Sequence, residues 1–450
     1  MNSEKKIPQD AGDPVTQKKV NSNDQVKDFK ENLGKYNINP KRALFTLALC
    51  TFIDVLGYTL IMPLLPQIAK GFGASDILIG LIISSNAFTA LVFGPILGKL
   101  SDKYGRKKLL IVSMLGTLGS FILLLFSTNL AGLLLSRLFD GVFSGQIPII
   151  RAYTADVSHK NERTSIMGKM MASFSMGLIL GPSIGGLLGS LDWRYPVLFA
   201  VFISILATTL VFKVLAESMP KERRDALQKE KQLQEEINGK KEPLLTKPLV
   251  LRLLQTFFQI LAFNAFVSTL PLVLEERFAV GPAEIGFVFT VYGIEMIIFS
   301  GLILRKLLKK FGEKPLYIAS MAILVISFII YPFLDNYWYI IAFVTPPTVG
   351  MALFRPIVQS NITKAAPDSR QGEANGWGTN MQGLAQVFAP IIATGYLEVG
   401  TVVIFGLAIN AYFMIGWTMA FLFALVFVIV IIDVKSYPHD FEEKEIKRLM

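Results

Sequence analysis

Cysteine is almost missing. Cys50 stands alone in 450 residues, which excludes a disulfide within the chain and a cysteine-built metal site. Histidine is nearly as scarce: His159 and His439 fall in expected loops far apart in the chain, leaving no cluster to hold a metal. Charge is thin as well, at 17% of residues against about a quarter in a soluble domain. No phosphate-cradling glycine loop of the GxxxxGK type is present, which argues against ATP as the energy source. No catalytic constellation and no cofactor motif stands out. Whatever the chain does, it does not read as an enzyme.

What is present is apolar. Hydrophobic residues make up 52% of the chain and mean hydropathy is +0.50. They gather in about twelve blocks of roughly 20 residues, the length that crosses about 30 Å of hydrocarbon. The expected spans are 43–67, 78–99, 108–128, 131–155, 164–189, 194–214, 250–274, 283–305, 315–334, 337–363, 375–396 and 410–433. A barrel would show shorter runs of alternating residues, so the expected fold is an all-α membrane protein. The net charge of +10 then reflects basic loops held on the inner side, with no need for a nucleic-acid partner. The partner is the lipid bilayer.

The basic residues alternate. Gaps after spans 2, 4, 6, 8 and 10 hold Lys103, Arg106, Lys107, Lys108, Lys160, Arg163, Lys306, Lys309, Lys310, Lys314, Lys364 and Arg370. Gaps after odd spans hold little beyond Lys70 and Arg277. Both termini are therefore expected in the cytoplasm, in a cell membrane or an organellar one. Residues 1–42 read as a polar tail without a cleavable leader. A charged stretch at 215–248 divides six spans (43–214) from six (249–434), and 435–450 is a second tail. A weak repeat supports the division: Asp102-Lys103-Tyr104-Gly105-Arg106-Lys107 after span 2 is echoed by Lys309-Lys310-Phe311-Gly312-Glu313-Lys314 after span 8. Paired halves with a site between them near the midplane are a common transporter plan.

The loop Gly98–Leu110, GKLSDKYGRKKLL, packs one carboxylate among five cations. Gly98 suits close helix approach and Gly105 a turn with positive φ. The cations alone would serve as a topology anchor. Asp102 needs another reason, such as accepting from a helix N-terminus or an arginine. Gly98-x-x-x-Asp102-x-x-Gly105-Arg106-Lys107 resembles the signature loop of the major facilitator superfamily. Asp54-Val-Leu-Gly57-Tyr58 through Pro63 and Pro66 resembles the first helix of its twelve-span drug:proton antiporters, which include tetracycline exporters. Arg137-x-x-x-Gly141, with Asp156 at the span's end, is similar to their fourth helix. Gly177-x-x-x-Gly181-Pro182-x-x-Gly185-Gly186 resembles their fifth-helix antiporter motif. The resemblance runs from Ala43 to Val434. It implies two pseudo-symmetric six-helix bundles, a cavity ringed by spans 1, 4, 7 and 10, and an inner gate formed by Asp102, Arg106 and Asp156. The second repeat departs from this pattern, because Lys309 stands where the first has Asp102.

Asp54, Arg137, Asp140, Arg151, Glu295 and Arg355 lie in or near expected hydrocarbon. Left unpaired they would cost about 15 kcal/mol on insertion scales, so they must face one another or water. Three acids and three bases permit full neutralisation, and Glu295 with Arg355 is one expected pair. Asp140 and Arg151 stand eleven residues apart, three turns, with Arg137 near the same face. One polar stripe is thus expected down span 4. A carboxyl balanced between burial and a nearby cation can carry protons; Asp54 leads the candidates and Glu295 follows. Arg151 departs from the drug-exporter pattern and suits an anionic or zwitterionic solute.

Gly177, Gly181 and Gly185 recur every four residues, a small-residue packing face. Pro182 adds a kink, and the motif is expected to seal the seam between the halves. Pro63, Pro66, Pro148, Pro271 and Pro356 are expected bends. Tyr58, Gln146, Gln259, Asn264, Gln382 and Gln386 are polar candidates for a cavity wall, with Gln255 beside them. The expected function is secondary active transport, a monomeric proton-coupled antiporter exporting a small amphipathic solute. An organic-anion facilitator or symporter fits the same fold, and a non-transporting membrane scaffold is the rival from another class.

Overall fold

Hydrocarbon offers the backbone no hydrogen-bond partner, so each apolar block must satisfy its own N–H and C=O groups along a helix. The computed structural model describes residues 34–36, 38–159, 162–225, 244–367, 370–404 and 407–441. Most of the terminal tails, Lys160, and most of the charged stretch at 215–248 lie outside the described residues. Among the described residues twelve rods cross the molecule. They are α1 (Pro40–Ile61) with α2 (Leu65–Gly71), α3 (Asp76–Tyr104), α4 (Arg106–Leu125), α5 (Leu130–Val142) with α6 (Gln146–Val157), α7 (Arg163–Gly189) and α8 (Arg194–Val214). After the central loop come α9 (Lys247–Phe278), α10 (Pro282–Ile297) continued by α11 (Leu304–Phe311), α12 (Glu313–Ile330), α13 (Tyr337–Lys364), α14 (Gln371–Val399) and α15 (Ala411–Ser436). A small hairpin, β1 (Val402–Ile404) and β2 (Leu407–Ile409), joins the last two.

Eleven of the rods are long and apolar enough to span a bilayer. The twelfth, α14, carries Glu373, Asn375, Asn380, Gln382 and Gln386 along its length. Glu373, Asn380 and Gln386 are exposed, and the rod packs on α9 and α3. Several helices outrun their apolar blocks. Expected span 2 ends at Leu100 less one residue, but α3 continues to Tyr104, which puts Asp102 in its last turn instead of in a loop.

Three rods are interrupted, each with a local cause. Span 1 breaks between Ile61 and Leu65, where Pro63 and Pro66 cannot donate the amides that a continuous helix needs. Span 4 breaks over Phe143–Gly145, ahead of Pro148. Span 8 keeps going but passes through a π turn at Ile298–Ile303. By contrast Pro182, Pro271, Pro356 and Pro390 are absorbed inside their helices.

Six and six is also how the rods pack. In the first group α1 lies against α7 and α8, α4 against α5 and α8, and α3 against α5. In the second, α9 contacts α14 and α15, α12 contacts α13 and α15, and α10 contacts α13. The main contacts between groups are two: α3 with α14, and α7 with α10. Both meet near the face away from Pro40 and Phe441, here the distal face. There a Cβ on Gly80 would overlap Thr394, and Cβ atoms on Gly186 and Gly286 would lie 2.6 Å from Pro282 O and 2.5 Å from Pro182 O. Toward the opposite, terminal face, Gly98, Gly168, Gly301 and Gly376 on these same four rods have nothing within 4 Å of that position. The halves therefore meet distally and part toward the terminal face.

The fifth-span glycines divide their labour. Gly177, Gly181 and Gly185 face span 1 of their own half, at Phe52, Thr59 and Leu60. Thr59 Oγ1 donates to Gly177 O at 3.0 Å across this contact. Of the motif residues, Gly186 and Pro182 meet α10 across the seam, where Ser183 Oγ and Thr290 Oγ1 also lie 2.6 Å apart. The expected seal between halves is thus mostly an internal weld, because residues four apart stay on one helix face while Gly186 is turned about 100° from Gly185. Gly98, expected to bring helices together, has no close neighbour, since it lies where the halves have parted.

Candidate functional site

A cavity of about 310 Å³ lies between the halves, at the lower end of the usual size for small-molecule sites. Span 1 contributes Asp54, Tyr58, Thr59 and Met62; span 2 contributes Asn86; span 4 contributes Asp140, Ser144, Gln146 and Ile147. The second half adds Asn264 and Ser268 from α9 and Gln386 and Pro390 from α14, and Phe174 and Leu178 of α7 supply apolar wall. Of the expected wall residues Tyr58, Gln146, Asn264 and Gln386 are present. Gln382 is absent from the lining. Gln259 is fully buried in the second half and donates to Met351 Sδ at 3.0 Å. Gln255 turns away too: it accepts from Tyr317 Oη and donates to Asp433 at 3.3 Å.

The first-half charges fall into two states. Asp140 is saturated. It accepts from Asn86 Nδ2 at 2.9 Å and Ser120 Oγ at 3.0 Å, and Arg137 Nη1 lies 3.7 Å away. Both members of that pair are buried. Asp54 is the opposite case, a partly buried carboxyl on the cavity wall with no hydrogen bond or ion pair among the described residues. Gln146 is fixed by Thr117 at 2.7 Å, so the floor between these two acids is ordered while Asp54 itself is free to move.

Full neutralisation of the six membrane charges does not occur. Glu295 accepts from Thr345 Oγ1 at 2.5 Å, linking α10 to α13, and its other carboxyl oxygen is buried without a partner. Arg355 is exposed and makes no ion pair with it. The difference is one of helical register: Arg355 stands ten residues beyond Thr345 on α13, about 15 Å along the axis. Arg151 is likewise exposed and unpaired. The single polar stripe expected on span 4 is interrupted, because the Phe143–Gly145 break separates Asp140 on α5 from Arg151 on α6.

On the terminal face the expected trio does assemble. Arg106 Nη1 lies 2.5 Å from Asp102 Oδ1, and its Nε lies 3.2 Å from Asp156 Oδ2. Ser101 Oγ accepts from Arg106 at 2.8 Å. Gly105, at φ 112°, links α3 to α4 in a conformation that side chains rarely adopt. Glu217, which the sequence reading did not single out, caps α4: it accepts from the amides of Arg106 at 2.7 Å and Lys107 at 3.2 Å. Its Oε2 would be 2.5 Å from a Cβ on Gly105, so glycine is needed there twice over. Ser218 Oγ donates to Asp156 at 2.9 Å. Among the described residues every partner of this cluster comes from the first six spans or from the stretch directly after α8, and none from the second six.

Two bundles of six rods, a polar cavity between them open to one face, and an arginine–carboxylate cluster at the span 2–3 turn define a twelve-span membrane transporter. The Major Facilitator Superfamily model matches residues 47–390 and 252–447, and the chain belongs to that superfamily. Its sequence is 28% identical over 356 residues to the class H tetracycline resistance protein of Pasteurella multocida, covering 78% of this chain and 88% of that one. It is also 28% identical to the quinolone resistance protein NorA of Staphylococcus aureus, over 80% of this chain and 90% of that one. Among solved structures it is similar in fold to a bacterial homologue of the human lysosomal transporter Spinster, inward-facing and occupied (TM-score 0.69, 12% identity, covering 91% of this chain and 100% of that one). It is similar also to the human organic anion transporter MFSD10 (TM-score 0.64, 21% identity, 87% and 100% covered).

Proposed function

We propose that this transporter is a proton-coupled antiporter that exports small amphipathic solutes, with its terminal face in the cytoplasm. The orientation follows from the basic gaps after the even spans, all on the terminal side. On this reading residues 43–214 and 249–434 are the two moving bodies, a single chain encloses the whole path, and the cavity is open inward. The observation that carries the proposal is the contrast between Asp54 and Asp140. A carboxylate already engaged by asparagine, serine and arginine cannot gain a proton without losing bonds. Asp54 has none to lose, so it can take up and release a proton on the cavity wall at no structural cost.

The cycle then needs few parts. Ionised Asp54 favours a solute with a cationic or donor group in the inward-open cavity. After the halves rock, a proton arriving from the distal side neutralises Asp54 and the solute leaves. The proton is released to the cytoplasm once the cavity reopens there, which restores the site. Arg137 and Asp140 fix the wall beside it, and Glu295 offers a second titrating carboxyl in the other half. The names of the tetracycline and quinolone resistance relatives fit such an export role. In liposomes with an imposed pH gradient, substrate flux should drive counter-flow of protons. Asp54→Asn should abolish pH-driven accumulation while downhill exchange persists; gradient-driven transport that survives Asp54→Asn and Glu295→Gln together would refute the assignment.

A second reading has its own observation. Arg151 and Arg355 have no ion pair among the described residues, and Arg151 stands one turn beyond Ile147 of the cavity wall on α6. They favour an anionic group on the solute, and uptake of organic anions independent of pH would select this reading.

A further inference from the structure

The distal face is closed by a charge cluster that the cavity chemistry does not use. Lys70, on the short helix α2 after the span 1 break, pairs with Glu276 in the last turn of α9, in the other half. The same ammonium lies 3.8 Å from Asp76 Oδ1, which belongs to its own half. One residue on, the Ile77 amide donates to Glu398 Oε2 at 3.3 Å, at the end of α14 and again in the other half. Beneath these contacts lies the apolar seam in which Gly80 meets Pro390 and Thr394. On the terminal side no ion pair joins the halves among the described residues.

We infer that Lys70 is the moving bolt of a distal gate, shared between Glu276 when the gate is shut and Asp76 when it is open. The geometry gives the reason for two carboxylates. If Glu276 were its only partner, separating the halves would strand a partly buried ammonium. Asp76 travels with Lys70 and holds it in either state, so the gate opens without leaving a bare charge. Both tie points in the second half sit at helix ends followed by left-handed backbone, Ala279 at φ 52° and Gly400 at φ 70°. Partial burial works against the Lys70 ammonium, but the hydrogen bond and charge of Glu276 and the charges of Asp76 and Glu275 outweigh it. Its pKa is held above the ordinary value, and the bolt stays charged at every physiological pH. The inference needs only that the halves rock. Its test uses neither substrate nor proton gradient, so it stands or falls apart from proton coupling.

The two carboxylates must act with opposite sign. Spin labels at Thr128→Cys and Asp335→Cys, in distal turns of the two halves, report the gate by electron–electron distance in the full-length protein; native Cys50, 1% exposed, stays silent. Glu276→Gln and Lys70→Ala should raise the population at long distance by about five-fold, the effect of losing one half-exposed ion pair. Asp76→Asn should lower it. Both acid variants keep side-chain size, which protects the fold. Labels at Lys108→Cys and Lys310→Cys on the terminal face should move reciprocally. Wild-type distributions in all three variants would overturn the gate, and so would Asp76→Asn shifting in the same direction as Glu276→Gln.

Discussion

The two halves tie down their terminal ends in different ways. In the first half Arg106 joins Asp102, Asp156 and Ser101 at the surface, with the Asp102 carboxylate 52% exposed. In the second half the corresponding repeat, Lys309 to Lys314, offers among the described residues one ion pair, Glu313 with Lys364 at 2.9 Å, and no arginine. Arg252 at the start of α9 does the work instead. It is fully buried, pairs with the fully buried Asp433 at the end of α15 at 3.3 Å, donates to Asn361 O at 2.7 Å, and reaches Asp440 at 2.6 Å. Phe441 lies over the Arg252 guanidinium and meets Tyr317 at a tilt. Arg106 itself is buried, but its Asp102 partner is open to water and can be exchanged when its neighbours move. The Arg252–Asp433 pair, with no exposure on either side, cannot, because breaking it leaves a buried charge. The lesson is that the terminal tie of one half keeps a carboxylate in contact with water, while that of the other is centred on a pair sealed from it.

That contrast can be broken experimentally. The largest effect is expected at the buried tie. Asp433→Asn should cost about 3–5 kcal/mol by stranding the Arg252 charge, seen as a large fall in Tm and in the yield of folded protein. Asp440→Asn, on a carboxylate one-third exposed, should cost much less. Next come the two turn glycines. Both have positive φ, 112° at Gly105 and 78° at Gly312, so alanine strains each by about 1–3 kcal/mol. Gly105→Ala must also displace Glu217, whereas nothing lies within 4 Å of Gly312. Thermal unfolding should therefore drop further for Gly105→Ala; equal drops would dissolve the difference between the turns. Glu217→Gln should remove about 0.5–1 kcal/mol by weakening the charged cap on α4. The smallest stability change is expected from Asp102→Asn, at about 0–1 kcal/mol for so exposed a pair. If the cluster opens during the transport cycle, the variant's transport rate should nevertheless fall. A Tm loss at Asp102→Asn as large as at Asp433→Asn would show the first-half cluster to be a structural tie as well.

Much of this was legible in the amino-acid order. Apolar block length gave the rods, and the glycine, aspartate and arginine spacing after span 2 gave the Arg106 cluster. Asp54, Asp140 and Arg137 were visible as charges where charge is costly. Pairing was harder to read. Glu295 and Arg355 looked complementary by count, yet a hydroxyl ten residues from Arg355 sits where the acid points. Arg252 and Asp433 went unremarked because each lies at the edge of its apolar block and reads as a topology signal. The clue was there: an arginine just inside the first span of a half and an aspartate at the last residue of its final span, each needing a partner. Glu217 was hidden by its neighbours, one acid in a stretch rich in both signs. The glycine period in span 5 announced close packing but not which helix would be met, since that depends on how the span is rotated in the bundle.

The π turn at Ile298–Ile303 has a practical consequence for span 8. Such a turn accommodates one residue more than α geometry, so everything on one side of it is rotated by about 100° relative to an uninterrupted helix. A helical wheel drawn through the whole span would misplace Glu295 against the lysines of α11. Excising a single amino acid from this stretch would re-index the wheel and swing the carboxyl off Thr345 while leaving every chemical group in the chain's active repertoire intact, a way of separating where Glu295 points from what it is.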